Sequence, residues 1–112
     1  MMQNPIDWVG TSLDIVNGIT DIVEKGMFSE NERIINRDMR KVAILAKSNL
    51  RAARANKRID KLTVDRILYR VKSVELGLRI AAKHGLKKDK LTEGLQKLVE
   101  MLTECAVSNV AE

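Results

Sequence analysis

One stretch decides the fold: from Ser29 to Arg58 the chain reads SENERIINRDMRKVAILAKSNLRAARANKR. It contains no Gly or Pro, and the next glycine along the chain is Gly77. Its apolar residues recur at steps of three and four, the spacing that places side chains on one face of an α-helix. They are Ile35, Met39, Val42, Ala43, Ala46, Leu50 and Ala53. The stretch therefore predicts a long amphipathic helix with this face buried.

The opposite face of the predicted helix carries a line of basic side chains, named here the basic stripe. Its members are Arg33, Arg37, Arg40, Lys47, Arg51, Arg54 and Arg58. They stay within about 50° of one line, because a helix advances ~100° per residue. Ile44 interrupts the stripe, and Asp38 is the sole acid between its two ends. Like charges therefore adjoin without the interleaved acids that a merely solvated helix usually carries.

The ends of this helix can be predicted from local signals. Ser29 and Glu32 form a capping-box pattern, which predicts a start at Ser29. We place the end near Arg58 and a break within residues 58–62. An unbroken helix from Ser29 to Lys83 would be about 80 Å long, a length that suits a coiled coil better than a compact domain. The continuous helix stays as the alternative.

A first helix is predicted over residues 5–25. Asn4 can cap it, Pro5 suits the first helical position, and Gly26 supplies the left-handed residue that commonly ends a helix. Its apolar residues cover an arc of roughly 200°, which is wider than one core-facing stripe. We therefore expect this helix either to be central in the bundle or to contact another subunit along one flank.

A third helix is predicted over residues 63–84, with Thr63 as its cap and Asp60 as a competing cap. A second apolar flank on this helix could hold a neighbouring helix or a partner. Together with the wide arc of the first helix, it gives the candidate subunit interface. The residues proposed for that interface are Trp8, Ile15, Ile22, Tyr69, Leu76 and Ile80.

A fourth helix is predicted over residues 90–107, starting at Asp89 or Thr92. Short connections join the four helices, and the sequence contains no repeat or interdomain linker. A chain of 112 residues is most simply one domain, spanning 1–112, and its size suffices for a core without metal or disulfide support. We predict an all-α fold, a compact and most simply antiparallel bundle of about four helices.

Charge is distributed unevenly along the chain. Residues 1–32 carry six acids and one base, residues 33–90 carry eighteen Lys and Arg and five acids, and residues 91–112 carry four acids and one base. The net charge of +5 thus conceals a basic middle between two acidic ends. Such asymmetry favours a polyanionic partner or electrostatic pairing within or between subunits.

Catalytic and metal chemistry find little support in the residues present. His84 and Cys105 are the only residues of their types, so they cannot make a standard structural zinc site alone. Cys105 falls on the apolar stripe of the fourth helix and is expected to be a small buried hydrophobe. No phosphate-cradling glycine loop occurs. We expect a protein that is not an enzyme, with no catalytic residue, metal or cofactor.

The sequence contains neither a signal-peptide pattern nor a run of about 18 apolar residues. We therefore expect a cytoplasmic protein with no membrane partner. The single cysteine fits a reducing compartment, because it leaves no intrachain disulfide to form.

The basic stripe, extended by Arg66 and Arg70 of the third helix, is the predicted functional surface. We expect it to contact the phosphates of DNA or RNA without base specificity, since guanidinium groups match phosphate geometry. Three aromatic residues are too few to favour single-strand binding by base stacking. The alternative is a small homo-oligomeric assembly or adaptor protein whose basic middle pairs with an acidic protein surface. A plain solvated face is the third interpretation.

Overall fold

The structure, a computed structural model, describes residues 7–84 and 88–110, with side chains for 8–84 and 88–105. The described residues form helices joined by short connections. These helices are α1 (Asp7–Glu24), α2 (Glu32–Ala55), α3 (Lys61–His84) and α4 (Lys88–Val110). The predicted all-α fold with four helices is confirmed.

Each helix packs against its neighbours in the sequence, and α4 closes the bundle by packing against α1. The short connections make successive helices antiparallel. A 24-residue helix such as α2 or α3 is about 36 Å long, which matches the longest dimension of the molecule, 42 Å.

Every helix contributes one apolar stripe to a common core. Leucine, isoleucine and valine dominate this core, and Trp8 is the one aromatic side chain fully inside it. The largest fully buried side chains are Ile19, Met39, Leu50, Ile67, Leu95, Leu98 and Leu102. The buried face predicted for the second helix is therefore correct at Ile35, Met39, Val42, Ala46 and Leu50. Ala43 and Ala53 lie beside that face and are half-buried.

Two helix ends use the same backbone device. Gly26 has φ of +71°, its N–H donates to the Val23 carbonyl (3.0 Å), and the next N–H, of Met27, donates to Ile22 (3.1 Å). This pair of bonds is a Schellman motif, which satisfies carbonyls at the end of α1. The predicted end of the first helix at Gly26 is confirmed.

The end of α2 repeats this device with a lysine. Lys57 has φ of +59°, its N–H donates to Arg54 (2.9 Å), and the N–H of Arg58 donates to Ala53 (2.9 Å). The predicted break between the second and third helices is confirmed, and the continuous helix is wrong. Arg58 was predicted inside the helix, but it lies in the turn because the chain reverses at Lys57.

The predicted capping box at the start of α2 is wrong. The helix begins at Glu32, three residues later than expected, and the preceding Asn31 makes no side-chain cap bond. Ser29 lies in a tight turn, in which the Asn31 N–H donates to the Phe28 carbonyl (3.2 Å). The Asn31 side chain instead donates back to the Met27 carbonyl (2.8 Å). The chain is thus still turning at Ser29.

The competing cap of α3, Asp60, is the one that forms. Its carboxylate accepts the Thr63 N–H (3.3 Å), so the helix begins at Lys61 and Thr63 lies in its first turn. Hydrogen bonding to the side chain of Thr63, together with its backbone N–H, holds the pKa of the Asp60 carboxyl below its usual value. Asp60 therefore caps α3, because its carboxylate lies three residues before the N–H that it accepts, whereas Thr63 is already inside the helix.

Helix α4 is longer than predicted at both ends. It begins at Lys88, one residue before the earliest expected start, and continues to Val110 rather than ending near residue 107. The Lys88 ammonium donates to the Glu24 carbonyl at the end of α1 (2.9 Å), which ties the two helices together. The signals predicted at Asn4 and Pro5 lie outside the described residues, as does Gly85, the glycine expected to close the third helix.

Candidate nucleic-acid interface

The basic stripe lies on the solvent face of α2. All seven of its side chains are exposed, six of them within the helix and Arg58 in the turn that follows. The helical stripe residues lie on average about 125° around the helix from the centre of its buried face. Ile44, in the middle of the stripe, is 62% exposed. The core fixes the back of the helix and leaves the basic face free to meet a partner.

Acidic neighbours neutralise little of this stripe. Within the described part of the chain, Arg37 is the one stripe residue in an ion pair, with Asp38 at 3.3 Å. That pair joins adjacent residues and leaves Arg37 largely exposed, so its Coulomb energy is strongly screened by water. The remaining stripe charges are available to an external anion.

The packing of α3 against α4 shows which flank of α3 faces which neighbour. A Cβ placed on Gly77 would lie 3.4 Å from Leu91 Cδ2 of α4, and one placed on Gly94 of α4 would lie 3.5 Å from Val74 Cγ2. Gly77 therefore marks the α4 flank of α3. The flank across the buried face from Gly77 faces α2.

The basic residues of α3 divide between these two flanks. Arg66 and Arg70 fall on the Gly77 flank, and Arg70 lines a pocket between α3 and α4. Lys72 and Arg79 fall toward the flank beside α2. Two of the nine predicted nucleic-acid residues, Arg66 and Arg70, are thus separated from the other seven.

Sequence reasoning missed the residues that extend the stripe across α3. In an antiparallel pair, the flank of α2 that faces α3 is the one beside Lys47 and Arg54. The stripe and the α2-side basic residues of α3 therefore face solvent on the same side of the bundle. Together they are named here the α2–α3 basic face. The members from α3 are Lys61, Lys72, Arg79 and Lys83, all exposed. Their helical spacing was visible in the sequence, but the identity of the flanking helix was not.

The two halves of the bundle carry opposite charge. Helices α2 and α3, which pack together, contain thirteen Lys and Arg and four acids. Helices α1 and α4, which also pack together, contain three Lys and eight acids. The three-segment pattern along the chain thus becomes two sides in space, because the acidic first and last helices are neighbours.

The candidate subunit-interface residues fall into two groups. Trp8 is 5% exposed and belongs to the core, while Ile15 and Ile22 are half-buried against it. The wide apolar arc of α1 is therefore used mainly inside the bundle, where α1 has to contact both α2 and α4. This places Trp8 out of reach of a partner.

The candidates on α3 are exposed instead. Tyr69 is 72% exposed, Leu76 42% and Ile80 45%, and Leu62, which sequence reasoning missed, is 62% exposed. All four lie close to one line on the side of α3 away from the core. They are named here the α3 apolar patch. The spacing of seven residues between Leu62, Tyr69 and Leu76 was the sequence signal that could have placed Leu62 in this patch.

Residues with catalytic or metal-binding chemistry are scattered. His84 is exposed at the end of α3, and Cys105 is buried in α4, where burial raises the pKa of its thiol to about 11. No group of three or more His, Cys, Asp or Glu side chains in the described ranges could hold a metal ion.

None of the four helices, over its described residues, has the length and apolar character needed to cross a membrane. Comparisons with protein-family models, with curated proteins and with solved structures find no match to this chain.

Proposed function

We propose that the protein binds nucleic acid by laying the α2–α3 basic face against phosphate groups, without reading the base sequence. The observation that carries the proposal is the exposed basic stripe, whose charges are repeated on the same side by α3. Adjacent like charges on a helix repel by a few tenths of a kcal/mol per pair. A polyanion removes that repulsion by neutralising the charges.

The dimensions of α2 suit this role. Its 24 residues span about 36 Å, close to one helical turn of duplex DNA. Stripe residues recur at each turn of the helix except at Ile44, so successive cations can reach successive phosphates. Four of the five arginines within the helix are outside any ion pair among the described residues, and guanidinium groups can bind phosphate oxygens through two donors.

The test is a fluorescence-anisotropy titration with a duplex of about 20 base pairs, as DNA and as RNA. Because bound phosphates release counterions, affinity should fall steeply between about 50 mM and 200 mM salt. Arg40→Glu/Arg51→Glu should weaken binding by more than about tenfold at low salt and lower the salt slope by about 2.

A matched control separates a specific surface from net charge. Lys25→Glu/Lys97→Glu changes the net charge by the same amount on the acidic side of the molecule, and its affinity should stay close to that of the unmodified protein. Equal losses in the two double variants would reduce the interaction to general charge attraction. Unchanged binding by Arg40→Glu/Arg51→Glu would contradict the proposal.

The extension onto α3 has its own test. Lys72→Glu removes a basic-face residue, whereas Arg66→Glu removes an equal charge from the α4 flank of the same helix. We expect Lys72→Glu to weaken nucleic-acid binding more strongly than Arg66→Glu. The reverse order would contradict the α2–α3 basic face, because it would place the phosphate-binding surface on the α4 side of α3.

A second candidate function rests on the α3 apolar patch. Four large exposed side chains on one helix favour a protein interface, and here basic residues flank them. We infer an adaptor role in which this patch holds an acidic amphipathic surface. Pairing of two copies through α3 would bring like charges together, so the patch favours a different protein.

Light scattering without nucleic acid, at low and high salt, distinguishes the two candidates. A monomer that binds the duplex supports the first. A monomer that binds neither DNA nor RNA would favour the adaptor role over nucleic-acid binding, whereas a stable oligomer that dissociates on Leu76→Lys would contradict the pairing of the α3 apolar patch with a different protein.

A further inference from the structure

We propose that the pocket between α3 and α4 binds a carboxylate attached to an apolar body. The pocket has a volume of about 430 Å³, within the range of sites that hold small ligands. It opens on the α4 side of α3, away from the α2–α3 basic face. Its lining residues are therefore different from the residues proposed to bind phosphate.

The absence of two side chains creates the space. Gly77 of α3 and Gly94 of α4 both line the pocket, between the apolar walls formed by Val74 and Leu91. A Cβ on either glycine would stand in van der Waals contact with the wall of the other helix. The glycines thus let the two helices approach closely while leaving a groove outside the contact.

The polar side of the pocket is cationic. Arg70 and Lys90 line it together with Ser73, and none of the described residues lining it is acidic. The Nε atom of Arg70 is buried and has no hydrogen-bond acceptor among the described residues. Buried polar groups in folded proteins nearly always have a partner. A buried guanidinium donor in a pocket that a second cation also lines selects an anionic acceptor.

The shape of the pocket narrows the class of anion. A carboxylate can accept from Arg70 and Lys90, while its hydrocarbon part contacts Val74 and Leu91. A bare inorganic anion would gain nothing from the apolar walls, and a neutral apolar molecule would leave Arg70 without an acceptor. The same chemistry occurs in a free organic acid and in an acidic side chain next to an apolar one on a peptide.

The test is an NMR titration of ¹⁵N-labelled full chain with octanoate, octanamide and inorganic phosphate. The amide signals of Gly77 and Gly94 report directly on the pocket. Octanoate should shift them saturably and bind at least about tenfold more tightly than octanamide, because only the carboxylate makes charge-assisted hydrogen bonds. Phosphate should not compete at equal concentration.

Three variants check the assignment. Arg70→Met retains the aliphatic stem and removes the donors, so octanoate should bind at least about tenfold more weakly. Arg66→Met is the matched control, one turn earlier on the same flank but outside the pocket lining, and should bind octanoate normally. Gly94→Ala narrows the pocket and should also weaken binding; circular dichroism establishes that each variant is folded.

The outcomes are distinct. Equal binding of octanoate and octanamide, equal effects of Arg70→Met and Arg66→Met, or no shift at either glycine would overturn the site. Phosphate as effective as octanoate would overturn the apolar part of the recognition. An acetylated Leu-Glu peptide amide distinguishes the sources: tighter binding of this peptide assigns the site to an acidic protein segment, and tighter binding of octanoate assigns it to a free organic acid.

Discussion

At the scale of single residues, two helix ends require a left-handed backbone conformation that a Cβ atom disfavours. Gly26 and Lys57 both take positive φ at the same position of a Schellman motif. Glycine adopts this conformation freely, whereas a residue with a Cβ pays roughly 1–2 kcal/mol. Lys57 therefore stores strain that Gly26 does not.

Replacement of Lys57 by glycine should raise the free energy of unfolding. Relief of the left-handed strain exceeds the added entropy of the unfolded chain, which leaves a gain on the order of 1 kcal/mol. Urea denaturation followed by circular dichroism measures it. Gly26→Ala, the converse change at the matched position, should destabilise by a similar amount, and a stabilising Gly26→Ala would contradict this account of both turns.

Asp60 should make stability depend on pH in acid. Its folded pKa is lowered from 3.8 by hydrogen bonding to the side chain and the backbone N–H of Thr63, so the charged form is favoured by folding. The contribution of Asp60 to the free energy of unfolding is fully present above pH 3.8, and it is lost as the pH falls through the lower pKa of the folded state. Asp60→Ala should therefore be less stable than the unmodified protein near neutral pH, and this difference should shrink in acid.

Urea unfolding of the unmodified protein, Asp60→Ala and Asp60→Asn at neutral and acidic pH tests that expectation. Asparagine can still accept the Thr63 N–H but does not titrate, so this control should keep its cap bond across the range. A deficit of Asp60→Ala that does not change with pH would show that the cap works without its charge.

At the scale of an element, α2 is a helix whose exposed face is poorly designed for its own stability. The stripe places Lys47 one turn before Arg51, and both are cations. A surface selected for stability would alternate signs at this spacing. The conflict between helix stability and surface charge is what points to a partner.

Lys47→Glu should make the protein slightly more stable and a weaker nucleic-acid binder. The new carboxylate lies four residues before Arg51, the favourable order for an ion pair, and gains about 0.2–0.5 kcal/mol besides removing a repulsion. Thermal unfolding and anisotropy titration measure the two effects. Lys47→Gln, which removes the charge without adding an acid, should fall between the unmodified protein and Lys47→Glu in both measurements. A Lys47→Glu variant that gains both stability and affinity for nucleic acid would contradict the proposed role of the stripe.

At the scale of the whole molecule, the fold sorts charge into two sides. The α2 and α3 side has a net charge of +9 over its helices, whereas the α1 and α4 side has −5. Repulsion acts between close neighbours on one side, while attraction acts across the thickness of the bundle. Salt screens both, with a Debye length of about 10 Å at 0.1 M.

Stability should therefore increase when salt is raised from about 20 mM to about 200 mM, because relief of near repulsion outweighs loss of distant attraction. Arg40→Gln/Arg51→Gln should reduce this salt dependence, and Lys25→Gln/Lys97→Gln should not. Urea denaturation at the two salt concentrations measures both. A fall in stability with salt would show that attraction between the two sides dominates.

Much of this molecule follows from sequence alone, because local physics is enough to specify it. A period of 3.6 residues in the apolar pattern predicts the helices and their buried faces, and Gly26 predicts the end of α1. The exposed stripe on α2 is the reverse side of the same pattern, so Arg40 and Arg51 could be assigned to the surface before any packing was known.

Only the tertiary structure decided what depends on neighbours. The turn at Lys57 and the capping by Asp60 could be identified only in the structure, since several local signals competed there. The separation of Arg70 from the stripe, and the inclusion of Arg79 beside it, required knowing which flank of α3 faces α4. The burial of Trp8 in the core, rather than at a subunit interface, also required the packing to be known. The periodicity of a helix gives the direction of each side chain around one axis, and the packing determines what lies in that direction.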